Sequence, residues 1–260
     1  MRTRALLTLA SLLLAATAFG GGTSGFGLKV MVDETPRPEY WHNGTLYVEA
    51  LRGASYSLHI TNPTPYRVAV ALSVDGLNTI DARHTDARNA TKWVLGPYES
   101  TEISGWQVND RTARNFFFTG ERRSYGAALG QTDNLGVIEA VFFREKRPRI
   151  TEYEYSPRNE ADSRESAAGG AAPAPPSAKA QAPAESQGKL SDDYAATGMG
   201  RRERHEVESV DIDLEREPAA SIRIRYEFTP QLVKMGILPS VSPLDRRERA
   251  HGFGSYCPER

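Results

Sequence analysis

Through the first half of the chain, apolar residues recur at every second position. "SYSLHITN" places Tyr56, Leu58 and Ile60 on one face, and "RVAVALSV" does the same with Val68, Val70, Leu72 and Val74. A period of two is the spacing of a half-buried strand, since successive side chains of a strand point to opposite faces. Between the two runs, "NPTPY" (Asn62 to Tyr66) carries two prolines that cannot sit inside a central strand. Asp75-Gly76 closes the second run with a strong turn signal. Further strands are predicted at Leu28 to Val32, Leu46 to Leu51, Thr91 to Leu95, Thr101 to Trp106, Ala113 to Phe118 and Val137 to Arg144. "GPYES" (Gly96 to Ser100) supplies another turn. No window in this half carries a helical apolar stripe. Roughly seven or eight short antiparallel strands with turns at this spacing predict an all-β protein, an antiparallel β-sandwich that is Ig-like or jelly-roll-like. The adjacent rings Phe116 to Phe118 predict a strand buried on both faces, or one that lies where a sheet folds over the other.

The pattern stops at "SAAGGAAPAPPSAKAQAPAESQG" (Ser166 to Gly188), where 19 of 23 residues are Ala, Pro, Gly or Ser. Such a segment has too little apolar surface to offset its ordering entropy, which predicts a disordered, partly extended linker. Alternation returns at "HEVESVDIDLE" (His205 to Glu215), with a slip near Ser209, and again at "SIRIRYEF" with Ile222, Ile224, Tyr226 and Phe228 on one face. A short helix is expected over "TPQLVKMGI", with Thr229 as N-cap, Pro230 at the first position and Gly236 as its end. A lone hairpin with one helix is too small to stand alone in water. It is therefore expected to dock onto the N-terminal sheet across the linker. The layout is a β-sandwich over 19–155, a linker over 156–197, a hairpin and helix over 198–240 completing the sandwich, and a flexible tail over 241–260.

Residues 1–18 are read as a signal peptide. Arg2 and Arg4 precede the fourteen-residue run Ala5 to Ala18, and Ala16-Thr17-Ala18 has a small-x-small cleavage pattern before Phe19. As a helix that run reaches only about 21 Å, short of the roughly 30 Å hydrocarbon core, so no membrane span is expected after cleavage. Export to the periplasm or the extracellular space follows from this reading. The single Cys257 offers no internal disulfide. The formal net charge of −1, with both signs interspersed, argues against a nucleic-acid partner. Three basic clusters, Arg144 to Arg149, Arg201 to Arg204 and Arg246 to Arg249, each contain their own Glu or flank one, and read as solvated surface. The Arg excess, 26 of 32 basic residues being Arg, together with abundant Ala points to a GC-rich bacterial genome.

Glycines in "SYGAALGQTDNLGVIEAVFFRE" (Ser124 to Glu145) invite comparison with a phosphate loop. No Lys-Ser or Lys-Thr follows, and the next element is a strand rather than a helix. "QTDNLG" is read instead as a turn with Asn134 or Gly136 at positive φ, leading into a core strand. Asp75, Asn78, Asp81, His84 and Asp86 fall within twelve residues and are the candidate hard-cation ligands. Their spacing misses the calcium-loop pattern, and Asp and Asn are also what tight turns select. "HEVES" has Ser209 where a zinc-protease helix needs its second His, so no metal and no cofactor is expected. Trp41, Trp93 and Trp106, with Tyr40, Tyr47 and Tyr98, are candidate ligand-stacking residues, against the commoner role of such rings in cores and sheet faces.

The segments "LSVDGLNTID", "LGPYESTEISGW" and "SYGAALGQTDNLGVIEAVFF", with "TGMGRRE" ahead of the final hairpin, resemble an uncharacterised group of exported bacterial proteins built on β-rich domains of unknown function. The resemblance implies that both halves form one unit and carries no activity, ligand or catalytic residue. The expected function is a non-enzymatic envelope or extracellular module that engages a protein partner, by way of an exposed sheet edge. Two alternatives stay open: a module for carbohydrate or cell-wall polymer using the Trp and Tyr residues, and a hydrolase with a loop-borne site from Asp75, Asp81 or His84.

Overall fold

A computed structural model of the protein describes residues 25–146 and 190–240. The reading of residues 1–18, the Ala/Pro-rich segment, the last basic cluster and Cys257 falls outside that range. Within it the chain forms two mixed or antiparallel sheets of seven strands each. The strands are β1 (Gly27–Val32), β2 (Thr35–Pro36), β3 (Glu39–His42), β4 (Thr45–Ala50), β5 (Ser55–Thr61), β6 (Val68–Val74) and β7 (Leu77–Asn78). There follow β8 (Trp93–Leu95), β9 (Ser100–Ile103), β10 (Gly105–Asn109), β11 (Thr112–Gly120), β12 (Val137–Arg144), β13 (Ala195–Arg204) and β14 (Ala220–Phe228). Two short α-helices, α1 (Tyr125–Ala128) and α2 (Thr229–Lys234), and a 3-10 turn at Glu121–Arg123 complete the set.

In the first sheet β2 pairs β1, β1 pairs β5, and β5 meets both β9 and β11. β11 also holds β10 and β13. The second sheet runs β3-β4-β14-β12-β6, with β7 and β8 both on β6. Its pairings are antiparallel except β14 with β4, which is parallel in the register Ile224↔Leu46 to Phe228↔Ala50. The C-terminal hairpin and helix are present, and the two C-terminal strands part company: β13 joins the first sheet and β14 enters the middle of the second.

The alternating apolar positions meet between the sheets. Val70, Leu72 and Val74 of β6, Ile138 and Phe142 of β12, Ile224 and Tyr226 of β14, and Leu58 and Ile60 of β5 are all buried there. Each such side chain contributes about 1.5–3 kcal/mol by leaving water. Aromatic rings order the layer: Tyr56 stacks on Phe118 at 4.1 Å, and Trp106 meets Phe116 edge-on at 5.1 Å. Phe116 and Phe118 face this core, whereas Phe117 points outward and is only half-buried. Its ring lies where a Cβ on Gly198 would stand, so the glycine in β13 makes room for it.

Local differences from the sequence pattern have local causes. The run 101–106 breaks at Ser104, so that β9 can pair β5 while β10 pairs β11. The alternation at 207–214 forms no strand. Its N-terminal end is tied by His205 N–H to Arg111 O and Val207 N–H to Asp110 O. Its C-terminal end is tied by Lys146 N–H to Asp213 O, and a single Glu145–Leu214 bridge is all its pairing among the described residues. The true first C-terminal strand, β13, lies earlier. Helix α2 takes Phe228 as N-cap, at φ −69° and ψ 152°, and Thr229 is its first helical residue, donating from Oγ1 to Glu49 Oε1 at 2.7 Å. Gly236, at φ 74°, ends it as expected.

Candidate functional site

Asp75 and Gly76 form the two-residue turn between β6 and β7, with φ 53° and 75°. Both values lie in the left-handed region that the primed hairpin turn demands. The turn swings the Asp75 carboxylate inward, where it is 2% exposed. There Oδ1 accepts from Gly136 N–H at 2.9 Å and from the Tyr226 hydroxyl at 2.5 Å, and Oδ2 accepts from Thr197 N–H at 2.7 Å. The Thr197 hydroxyl in turn joins Tyr226 at 2.7 Å and Tyr56 at 2.6 Å. One carboxylate thus ties together β13 of the first sheet, β14 of the second and the turn before β12. Burial pushes the Asp75 pKa up to about 7, against the pull of the Tyr226, Thr197 and Gly136 donors toward the ionised form. Burial also raises both tyrosines, with the Asp75 charge adding to the effect. The three hydroxyls are two-way groups. With Asp75 ionised each donates toward the carboxylate, and with Asp75 protonated the whole row can reverse.

The other candidate ligands build the loop from Asn78 to Lys92. Asn78 Oδ1 accepts from Ile80 N–H and its amide donates to Thr91 O. Asp81 accepts from Arg83 N–H and from the Thr91 hydroxyl. Asp86 takes the N–H groups of Arg88 and Asn89 and the Asn89 amide, which lower its pKa. The His84 ring meets Gly76 O through Nδ1 at 3.0 Å. The Asp and Asn groups are therefore spent on turns, and Asp75 is sealed away from the rest. Among the described residues no group of three or more His, Cys, Asp or Glu is placed to hold a metal ion. Gly136, at φ 77°, takes the positive-φ position of "QTDNLG", and Asn134 does not. Ahead of that turn, Ser124 Oγ accepts from Ala127 N–H and caps α1.

The tryptophans lie apart. Trp106 is 2% exposed in the core. Trp93, in β8, is half-buried, donates from Nε1 to Thr79 Oγ1 and sets its ring edge-on to His205 at 5.6 Å. It lines a groove of about 680 Å³ under the tied segment that follows β13. Trp41, in β3, is 63% exposed. β3 and β8 are at opposite sides of the second sheet, five strand spacings or roughly 24 Å apart, so these rings form no common platform.

Among the described residues β3 pairs only β4, which makes it the outer strand of its sheet. The hairpin turns at Asn43-Gly44, with φ 49° and 75°, which makes His42–Thr45 the first hydrogen-bonded pair. Tyr40 is the next, two positions on. The backbone N–H and C=O groups of Glu39 and Trp41 consequently point away from β4. Trp41 stands opposite Leu46, a core residue, so its ring extends the inner face of the sheet beyond its last strand.

A second groove, of about 460 Å³, crosses the outer face of the same sheet. Its floor is made by β6, β12 and β14 and its wall by the loop that carries His84. Gly76 and Asn134 close one end, packed so tightly that a Cβ on Gly76 would stand 2.7 Å from that of Asn134. Arg223, bound to Glu139 at 2.9 Å, and Arg225 project from β14. Alternation already puts Arg223 and Arg225 on one face of their strand, and only the register reveals that Glu139 and the His84 loop share that face. Compared with known proteins, the chain matches no family model, no curated protein and no solved structure.

Proposed function

We propose that this protein is an exported, non-enzymatic binding module that engages a partner protein by accepting one of its extended segments along β3. The observation that carries the reading is Trp41: an exposed indole on an outer strand whose backbone donors and acceptors at positions 39 and 41 face outward. Main-chain pairing supplies affinity in such strand addition, and alternate side chains supply selectivity. An incoming strand would set an apolar residue beside Trp41 on the inner face. The signal-like N-terminus supports placing this activity in the periplasm or outside the cell.

The test is photo-crosslinking from a benzophenone side chain at position 41 in the native envelope, with a control at exposed Leu129. A polypeptide adduct specific to position 41 is the expected result. Absence of an adduct, or the same adduct from position 129, rejects the reading. Trp93 favours the second reading, a carbohydrate or wall-polymer module. It presents an indole in a groove that Thr91, Lys92 and His205 also line. A glycan adduct from a probe in that groove, with none at position 41, decides for it.

A further inference from the structure

We infer that the groove on the outer face of the second sheet is a binding site for a small ligand bearing an oxyanion, a carboxylate or a phosphate, held by Arg225. The volume, about 460 Å³, is that of a pocket for a single sugar acid or a similarly sized molecule.

Charge decides the class of ligand. Glu139 is the acidic side chain of the lining, and Arg223 already occupies it at 2.9 Å. Arg225 lies two residues along β14 on the same face, opposite Val137, which offers it no acceptor. Glu227, whose charge it senses, turns its own carboxylate to Ala195 N–H instead. The Arg225 guanidinium makes no hydrogen bond and no ion pair among the described residues. A planar donor fork of this kind matches the two oxygens of a carboxylate or phosphate. The neutral side of the ligand has partners too. His84 commits Nδ1 to Gly76 O, which leaves Nε2 for the groove. Asn134 brings an amide to the closed end, fixed there by its packing on Gly76. All three groups line the groove that a ligand with one oxyanion and neighbouring hydroxyls would fill.

The experiment titrates the full-length mature protein with inorganic phosphate, sodium D-glucuronate and D-glucose at constant ionic strength, following arginine Nε–H and histidine NMR signals. Arg225 and His84 are expected to shift with glucuronate or phosphate and not with glucose. Arg225→Gln is expected to weaken the response at least tenfold, since a charge-assisted pair is lost. Arg202→Gln, on the other sheet, should leave it unchanged. A response to phosphate alone assigns a phosphate site, and a response to glucuronate alone assigns a sugar-acid site. Equal shifts at Arg201 and Arg202, retention of binding in Arg225→Gln, or no shift at all would each overturn the inference. A matching melting temperature for Arg225→Gln excludes misfolding as the cause of loss, and Arg225→Lys, which keeps charge without the fork, should retain partial affinity.

Discussion

Replacing Asp75 by Asn should abolish a pH effect on stability. In the folded protein this carboxyl has a pKa of about 7, against an ordinary value of 3.8. The folded value is the higher one, so the sign is unusual for an aspartate. Below pH 3.8 the group is protonated in both states and costs nothing. Between 3.8 and about 7 the unfolded chain releases the proton while the folded chain keeps it, so stability falls as pH rises. Above 7 both states are ionised and the full cost is present. At about 1.4 kcal/mol per pH unit over roughly three units, that cost is about 4 kcal/mol. The Asn variant loses this titration. It also faces Thr197 N–H with a second donor, a pH-independent penalty of about 1–3 kcal/mol. Urea melts of both proteins at intervals from pH 4 to pH 8, followed by tryptophan fluorescence, give the difference in stability, in which all other carboxylates cancel. The wild type should gain about 4 kcal/mol relative to Asp75→Asn on going from pH 8 to pH 4. A difference that stays flat, or that moves the other way, would show that the donors around Asp75 outweigh its burial, and would refute the reasoning.

Tyr226→Phe removes the hydroxyl that favours the ionised carboxylate, so it should cost about 1–3 kcal/mol and cost more at pH 8 than at pH 5 in the same melts. Gly105→Ala would drive a Cβ into the Arg114 carbonyl of the paired strand and should destabilise by about 3 kcal/mol. Gly198→Ala meets only the movable end of the Phe117 ring, so about 1 kcal/mol is expected, and equal losses from the two would contradict this account. A protease site engineered between residues 166 and 188 should, after cutting, yield two fragments that co-elute on size exclusion, because β14 is held by strands on both sides. Separation of the fragments would mean that the two C-terminal strands are not integral to the sheets.

Most strands were legible from apolar runs bounded by turn residues. β6 and β12 follow their predicted limits, although consecutive residues of each, Val68–Leu72 and Ala140–Phe143, are buried on both faces. β13 was not legible. Its "AATGMGRRER" has small residues where Phe117 crosses it and a buried Thr197 where apolar alternation calls for a hydrophobe. The alternation at Val207, Val210, Ile212 and Leu214 misled in the opposite direction, since periodicity records which side chains are covered and not whether a ladder exists. Asp75 was recognised as a turn residue, and its fate as a buried acceptor was invisible. Its partners Gly136, Thr197 and Tyr226 lie 61, 122 and 151 positions away. The candidate site depends on such register. Trp41 was visible as a tryptophan, but only the strand order puts it at an outer edge, and only pairing sets Glu139 beside Arg223 and Arg225.

The placement of β14 has a consequence for how the chain acquires its structure. β4 and β12 are neighbours of the same strand, and that strand pairs Leu46 with Ile224, residues whose numbers differ by 178. In a chain that emerges N-terminus first, the second sheet is therefore two unjoined pieces, β3–β4 and β12–β6, until residue 228 is free. Each piece exposes an open ladder flanked by core side chains, the geometry that invites pairing with a foreign chain. Closing so long a loop before any local reward makes the last step slow. The protein should consequently fold as a whole only after its C-terminal strands arrive, and the interval before that is when it most needs a holding partner.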